Sequence, residues 1–446
     1  MSYPTHFKKL FCEPEYEAAR ILQALAALSH CIYLQNNGKA RIAFLAERYC
    51  VQQNHQHFYF QKTALDQYEL SPTQLDLTAH LGALEDADTA PFCSVMGFVS
   101  YDAAAQQHIN MQSRAQPSVF LGQFKSYLQQ EATGWYFYSS DESAAEIYDF
   151  IAHHILQTAP AKPFHLMTPC QARWDLTDYQ QAFKRVQDYI VAGDCYQINL
   201  TQEFTAQAEG PLLTTAAEFW QLTNAPYAGY LRIHDFEILS CSPELFIEFE
   251  ADRKITTKPI KGTTPRYDDP LLDQQSKLQL QTSQKDQAEN VMIVDLLRND
   301  LSVYAETGSV KTPKLFNIES FNQVHHMVSE VTATLKAEMN PFDVLMSALP
   351  GGSITGAPKI RAMQIIDELE GAARGAYCGS MGYFDADGTG SWNILIRSIQ
   401  KYQQDVSLWA GGGVTIASVC EAEYQECFDK VSAMLDLLNR WYKPAQ

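Results

Sequence analysis

Two pairs of acidic residues, each with a spacing of three, are the first candidates for chemistry. Asp286 and Glu289 form one pair, and Glu423 and Glu426 form the other. On an α-helix, residues three apart share a face, so each pair would present two carboxylates together. Magnesium prefers carboxylate oxygens and completes its shell with water and substrate. The spacing is compatible with a Mg²⁺ site shared by two helices, and also with an ordinary solvated acidic surface.

A lysine and two glycine-rich segments are further candidates. Lys261 stands in the Pro- and Gly-framed run 258–265. In a partly desolvated site its amine can lose a proton and act as nucleophile or base, whereas in water it stays charged. The loop 349–359 can present backbone N–H groups to an anion, although it lacks the Gly-Lys-Ser/Thr ending of a phosphate-binding loop. Three glycines at 411–413 indicate a bent backbone or one that a ligand approaches closely.

The hydrophobic pattern assigns these residues to helices and strands. Helices are predicted over 15–34, 176–192, 285–301, 360–370 and 421–438. Strands are predicted over 56–60, 135–138, 198–204, 228–233, 238–241, 245–250, 322–330 and 406–409. Strands and helices without regular β-α-β alternation favour an α+β fold. Two prolines in 157–163 predict a linker after a first region that is rich in Gln, Ala and Tyr.

Composition excludes several classes of protein. Asp and Glu number 52 against 33 Lys and Arg, a net charge of −19, which argues against nucleic acid or an anionic membrane as partner. With 46% hydrophobic and 19% charged residues, the chain predicts a globular core. The apolar N-terminal stretch 18–34 is too polar for a signal peptide or a membrane span. Ten cysteines without a Cys-x-x-Cys pair indicate reduced thiols and a cytoplasmic location.

Four segments together resemble one known family. Residues 259–263 (PIKGT), 288–301 (AENVMIVDLLRNDL), 350–363 (PGGSITGAPKIRAM) and 377–383 (YCGSMGY) are similar to the chorismate-utilising enzymes, which include anthranilate, aminodeoxychorismate, isochorismate and salicylate synthases. The resemblance spans roughly residues 176–430. It implies an α+β fold of two large antiparallel β-sheets packed face to face with flanking helices. It further implies an N-terminal region of the anthranilate synthase component I type at 1–160 and a chorismate-binding catalytic domain at 172–440.

The resemblance also implies roles for individual residues. Glu289 and Glu426 correspond to direct Mg²⁺ ligands, with Asp286 and Glu423 beside them. The catalytic residues implied are Lys261, Glu244 and His326. The substrate-binding residues implied are Thr263, Thr355, Gly356, Tyr383, Arg397, Gly412, Gly413 and Lys430. Within this set Arg397 and Tyr383 correspond to residues that hold the enolpyruvyl carboxylate of chorismate.

Lys261 distinguishes two branches of the family. Anthranilate synthases typically carry alanine there, and aminodeoxychorismate synthases typically carry lysine. The lysine implies conversion of chorismate and ammonia to 4-amino-4-deoxychorismate through a covalent adduct, for 4-aminobenzoate and folate biosynthesis. Because the sequence shows no glutaminase motif, we expect a glutamine amidotransferase partner to supply the ammonia. Anthranilate synthase component I is the alternative enzyme, and a non-catalytic tryptophan- or chorismate-binding subunit is the alternative of another class.

Overall fold

The computed structural model describes residues 7–12, 17–82, 94–156, 162–320 and 324–444. Within these ranges eleven α-helices flank twenty-five strands. The helices are α1 Ala18–Ala24, α2 Tyr101–Ala105, α3 Ala144–Leu156, α4 Leu176–Ala192, α5 Ala216–Thr223, α6 Pro270–Thr282, α7 Gln284–Ser302, α8 Pro341–Ala348, α9 Lys359–Glu370, α10 Cys420–Asp429 and α11 Ser432–Asn439. Short 3-10 turns cover Leu212–Thr215, Ala251–Arg253 and Gly352–Ile354.

The strands of the first half of the chain are β1 Phe7–Cys12, β2 His30–Asn36, β3 Lys39–Phe44, β4 Arg48–Gln53, β5 Gln56–Ala64, β6 Gln67–Leu70, β7 Ser94–Val99, β8 Val119–Phe124, β9 Ser126–Glu131, β10 Gly134–Ser139, β11 His165–Leu166, β12 Gln171–Ala172 and β13 Gln197–Glu209. Those of the second half are β14 Tyr227–Ile233, β15 Phe236–Ser242, β16 Leu245–Phe249, β17 Lys254–Thr257, β18 Ile260–Pro265, β19 Lys311–Ser320, β20 Val324–Thr334, β21 Gly356–Ala357, β22 Ser380–Asp385, β23 Gly390–Asn393, β24 Ser398–Tyr402 and β25 Asp405–Thr415.

Two large antiparallel sheets organise these strands. The first runs β1-β10-β9-β3-β2-β14-β15-β24-β25-β13-β11, with β12 and β21 also paired to β13. The second runs β18-β20-β17-β16-β23-β22-β7-β8-β4-β5-β6, with β19 paired to β20. Each sheet therefore combines strands from the N-terminal region with strands from the C-terminal part. The predicted α+β fold of two large antiparallel sheets with flanking helices is confirmed.

The core lies in layers on both faces of the sheets. One apolar cluster joins β2, β3, β9, β14 and β15 of the first sheet to β4, β7, β8 and β22 of the second, so the two sheets pack face to face. A second cluster covers the outer face of the first sheet with α1, α3, α5 and α11. A third packs α4, α9 and α10 against the end of β13 and β25. Burial of apolar area in these layers is the main source of stability.

Several predicted elements match closely. Helix α4 begins at a capping box formed by Asp175 and Asp178 and ends at Gly193, whose φ of +81° suits the left-handed cap. The predicted helices at 285–301 and 360–370 correspond to α7 and α9, and all eight predicted strands overlap observed ones. The predicted linker lies mostly outside the described residues, at 157–161.

Two predicted helices were wrong in part. The predicted helix over 15–34 ends early, because α1 stops at Ala24 and His30–Asn36 is strand β2. Alternate side chains of β2 lie in different apolar clusters on the two faces of the sheet. Its sequence therefore lacks the alternation of apolar and polar residues that indicates a half-exposed strand. The predicted helix over 421–438 is two helices, because the backbone leaves the helical region at Val431, with φ −127° and ψ 3°. Helix α10 packs over β25, whereas α11 packs on α5.

Two other features bear on the predicted class of protein. Among the described residues, no helix combines the length and the apolar character that crossing a membrane requires. Within the same ranges no two cysteines form a disulfide, and Cys93 lies outside them.

Candidate active site

Lys261 and Glu244 meet at one residue of the glycine-rich loop. Lys261 lies on β18, Glu244 lies between β15 and β16, and Ser353 lies in the 3-10 turn of the loop. The Lys261 ammonium donates to the carbonyl oxygen of Ser353 at 3.3 Å, and the Ser353 hydroxyl donates to Glu244 Oε1 at 3.4 Å. Ser353 lies 92 positions after Lys261 and 109 positions after Glu244 in the chain. The tertiary structure therefore brings an amine and a carboxyl group to a shared serine.

Burial moves both titratable groups toward their neutral forms. Glu244 is only 5% exposed, and burial raises its pKa to about 7 against the opposing influence of Lys261. Burial lowers the pKa of Lys261, and the positive charge of Lys430 lowers it further, although nearby carboxylates oppose the shift. A desolvated charge is costly, so burial shifts each group toward its neutral form. A neutral amine beside a protonated carboxyl group is the pairing that nucleophilic attack with acid assistance requires.

The two acidic pairs lie on α7 and α10, and Lys285 contacts a member of each pair. Glu423 and Glu426 on α10 face the backbone of Gly412, where a methyl group would lie 3.1 Å from Glu423 Oε2 and 2.8 Å from Glu426 Oε1. Lys285 on α7 reaches both helices, with its Nζ 3.9 Å from Glu289 Oε1 and 3.8 Å from Glu423 Oε1. The carboxylates of α7 and α10 therefore border one region above Gly412.

Asp286 links this region to the strand of Lys261. Its backbone N–H bonds to the Ser283 hydroxyl, which caps α7. A methyl group at Gly262 would lie 2.9 Å from Asp286 Oδ1, and Gly262 has a φ of +81°. Glycine is therefore required at 262 both by the close approach and by the backbone conformation. Asp286 therefore lies directly beside Gly262, the residue that follows Lys261.

The donors suit a hard divalent cation. All four groups are carboxylates, and the glycine at 412 leaves open the space that a side chain would fill. Within the described ranges no three His, Cys, Asp or Glu side chains form a ready-made coordination shell. Two lysines stand among the carboxylates instead, since the Lys430 ammonium is 2.6 Å from Glu426 Oε1 and donates to the Gly411 carbonyl at 2.8 Å. The residues fit a magnesium ion by charge and by donor type.

A cavity of about 210 Å³ opens beside these groups. His326, Arg397 and Lys430 line it, together with Pro243, which precedes Glu244. The Thr263 hydroxyl lies 2.8 Å from His326 Nδ1. Burial lowers the pKa of His326 to about 3, so its imidazole is neutral at ordinary pH. The cavity thus presents cations at Arg397 and Lys430 and a neutral ring at His326, which suits an anionic ligand.

Other predicted site residues have structural partners. The Thr355 hydroxyl donates to the Gly351 carbonyl at 3.0 Å within its own loop. Gly356 pairs with Ile198 on β13, and Gly413 lies against the side-chain amide of Gln197. These contacts shape the glycine-rich backbone beside the site.

Tyr383 contacts the core between the sheets and Arg41. Its ring packs against the core between the sheets and lies 4.7 Å from the guanidinium of Arg41, which pairs with Asp385 at 2.6 Å. Tyr383 lies on β22, on the face that packs against the first sheet. Its contact with substrate stays a prediction.

Sequence reasoning missed two residues of the site. Ser353 stands two positions before Thr355, and both are hydroxyl residues in the same loop, so residue type alone did not distinguish them. Lys285 precedes Asp286, and only the approach of α10 reveals its contact with Glu423. In both cases the signal was adjacency to a predicted site residue.

Comparisons with known proteins find relatives over most of the chain. The family model described as chorismate binding enzyme matches residues 29–436. Aminodeoxychorismate synthase component 1 of Salmonella typhimurium is 48% identical over 284 residues, and that of Escherichia coli is 45% identical over 284 residues. Each match covers 64% of this chain and 62% of the relative, so the chain spans less than two thirds of these relatives' length. The crystal structure of anthranilate synthase component I from Streptococcus pneumoniae matches with a TM-score of 0.76 at 25% identity, covering 89% of this chain and 92% of that one.

Proposed function

Because the chain belongs to the chorismate binding enzyme family, we propose that it converts chorismate and ammonia to 4-amino-4-deoxychorismate. Relatives at 45% and 48% identity carry the name aminodeoxychorismate synthase component 1, which supports this choice within the family. The observation that carries the proposal is the pair of Lys261 and Glu244 at Ser353, each shifted toward its neutral form. Alanine at position 261 would leave no nucleophile in this place.

The reaction follows from these two groups. The Lys261 amine attacks ring carbon C2 of chorismate, the two ring double bonds shift by one position, and the C4–O bond breaks. Glu244 donates its proton to the departing hydroxyl, so water leaves, and the carboxylate takes back a proton from the new C2–ammonium. Ammonia then attacks C4, the double bonds return, and the C2–N bond breaks. The departing lysine nitrogen is protonated by Glu244, which recovers the proton from the new C4 amine.

Other residues hold the substrate in this proposal. Arg397 and Lys430 place positive charge in the cavity for the carboxylates of chorismate, and His326 with Thr263 borders the ring. Hydrogen bonds to a carboxylate that involve a charged donor are the stronger ones. Arg397 is a suitable partner because its guanidinium can donate two parallel hydrogen bonds to a carboxylate.

A magnesium ion would be held by the acidic group. Glu289 and Glu426 are the proposed direct ligands, with Asp286 and Glu423 beside them. When bound, such an ion withdraws charge from a carboxylate that it contacts. The glycine at 412 leaves room for it above the sheet.

Ammonia would come from a separate glutamine amidotransferase subunit. The word component in the names of the relatives supports a partner, and ammonium salts at mildly alkaline pH would replace it in an assay. The product would serve 4-aminobenzoate and folate biosynthesis.

Product analysis tests the proposal. Purified chain, chorismate, Mg²⁺ and ammonium are incubated, and the products are separated by chromatography with mass detection. A product that retains the enolpyruvyl group and exchanges hydroxyl for amine is expected, and Lys261→Ala should abolish it. Anthranilate with release of pyruvate would instead assign the anthranilate synthase activity that the structural match makes the second candidate. Chorismate binding without turnover would indicate a regulatory subunit.

A further inference from the structure

Lys285 bridges the two acidic helices. It lies in the first turn of α7, and its Nζ is 3.9 Å from Glu289 Oε1 on the same helix and 3.8 Å from Glu423 Oε1 on α10. The Lys285 side chain is 59% exposed, whereas that of Glu423 is 3% exposed. A mobile solvated cation therefore contacts carboxylates that are largely withdrawn from water.

The two lysines of the acidic group differ in how they are held. Lys430 makes a contact of 2.6 Å with Glu426 and donates to the Gly411 carbonyl at 2.8 Å. Both contacts of Lys285 are longer than the roughly 3.2 Å limit of a good N–H···O bond. Lys285 is attracted by charge without a directional bond, so little geometry opposes its departure.

The ammonium of Lys285 interacts with the whole acidic group. The carboxylates of Glu423, Glu289, Glu426 and Asp286 all attract its positive charge. These are the four carboxylates proposed for the cation. A positive charge that four carboxylates attract occupies the region a divalent cation would enter.

We propose that Lys285 is a displaceable counter-ion of this acidic group, which neutralises the carboxylates until a divalent cation binds and then moves into solvent. Its presence lowers the affinity for the cation, because the cation must replace it. The inference rests on the proposed function, since it takes these carboxylates as the ligands of a hard divalent cation. The exposure of Lys285 provides the path by which it leaves.

The expected effect follows from Coulomb's law. Separating an ammonium from two carboxylates about 4 Å away in water-like surroundings weakens cation binding by on the order of tenfold. Removal of that charge should tighten Mg²⁺ binding by a similar factor. It should also destabilise the protein without cation, because the carboxylates then repel one another without compensation.

The experiment measures Mg²⁺ binding to the full chain by calorimetry, without substrate. Lys285→Gln removes the charge, Lys285→Arg retains it, and Lys277→Gln removes an exposed lysine charge from α6 as the matched control. We expect Lys285→Gln to bind Mg²⁺ about tenfold more tightly, and the other two variants to bind within about twofold of the unmodified chain. Thermal unfolding should show a lower midpoint for Lys285→Gln without Mg²⁺, and a larger increase on adding it.

Each contrary outcome has a distinct meaning. Equal or weaker Mg²⁺ binding by Lys285→Gln, with binding retained in the unmodified chain, overturns the role of Lys285 alone. If Lys285→Arg binds Mg²⁺ as tightly as Lys285→Gln does, the effect comes from side-chain shape and not from charge. That result also overturns the role of Lys285. Absence of Mg²⁺ binding in every variant overturns the cation part of the proposed function. If Lys285→Gln is unfolded without Mg²⁺ and Mg²⁺ restores its fold, the counter-ion role is supported. If Mg²⁺ does not restore the fold, that role is overturned.

Discussion

Replacing Glu244 by glutamine should stabilise the protein at alkaline pH while removing its activity. The carboxyl group is 5% exposed, and burial raises its pKa from 4.5 to about 7. Two effects compete for the ionised form: desolvation penalises it, and Lys261 favours it. The raised pKa means that desolvation prevails, so an ionised Glu244 weakens the fold.

The magnitude follows from proton linkage. In the unfolded chain Glu244 titrates near its ordinary pKa, and in the folded chain near 7. The stability that the protonated group confers is complete below the unfolded pKa and is lost as pH rises through the folded one. The shift corresponds to about 3 kcal/mol of unfolding free energy. Glutamine mimics the protonated acid, so the variant should keep that stability at high pH.

Urea unfolding tests this prediction for the unmodified chain and for Glu244→Gln at about pH 5 and about pH 8.5. The variant should gain up to about 3 kcal/mol over the unmodified chain at the higher pH and far less at the lower pH. Glu218→Gln, at an exposed position of α5, controls for the loss of one negative charge from a chain of net −19. A variant less stable than the unmodified chain at alkaline pH would refute the reasoning, because it would mean that the attraction of the Glu244 carboxylate to Lys261 outweighs burial.

Three further predictions concern neighbouring groups. The Ser353 hydroxyl donates to Glu244 at 3.4 Å and lowers the pKa of that carboxyl group. Ser353→Ala removes the hydroxyl, so the alkaline limb of the pH–rate profile should move to higher pH. An unmoved limb would contradict this assignment. Gly412→Ala would bring a methyl group within 2.8 Å of Glu426, so calorimetry should show weaker Mg²⁺ binding with little change in the unfolding midpoint. Arg374→Met breaks a buried ion pair with Glu370 at 2.7 Å, and urea unfolding should show a loss of about 3–5 kcal/mol. Pairing that change with Glu370→Gln should recover part of the loss, and no recovery would count against the ion pair as its cause.

Local signals were sufficient for several elements. Helix α4 was predicted because its apolar period, its capping residues and its closing glycine all lie within the segment itself. The strand β2 was missed because both of its faces are buried, one against the second sheet and the other beneath helices, so its apolar and polar residues do not alternate. Likewise the break at Val431 comes from two helices packing on different clusters, and no proline or glycine marks it.

The sequence by itself determined the family of this protein and predicted which residues carry its chemistry. Long motifs contain residues such as Lys261 and the two acidic pairs, and these residues can be recognised without knowing which groups they contact. The tertiary structure decided which groups act on one another, since Ser353 contacts both Lys261 and Glu244 from more than ninety positions away in the chain. It also decided the direction of each pKa shift, because a pKa depends on burial and neighbouring charge, which arise only when the two sheets pack and bring distant segments together.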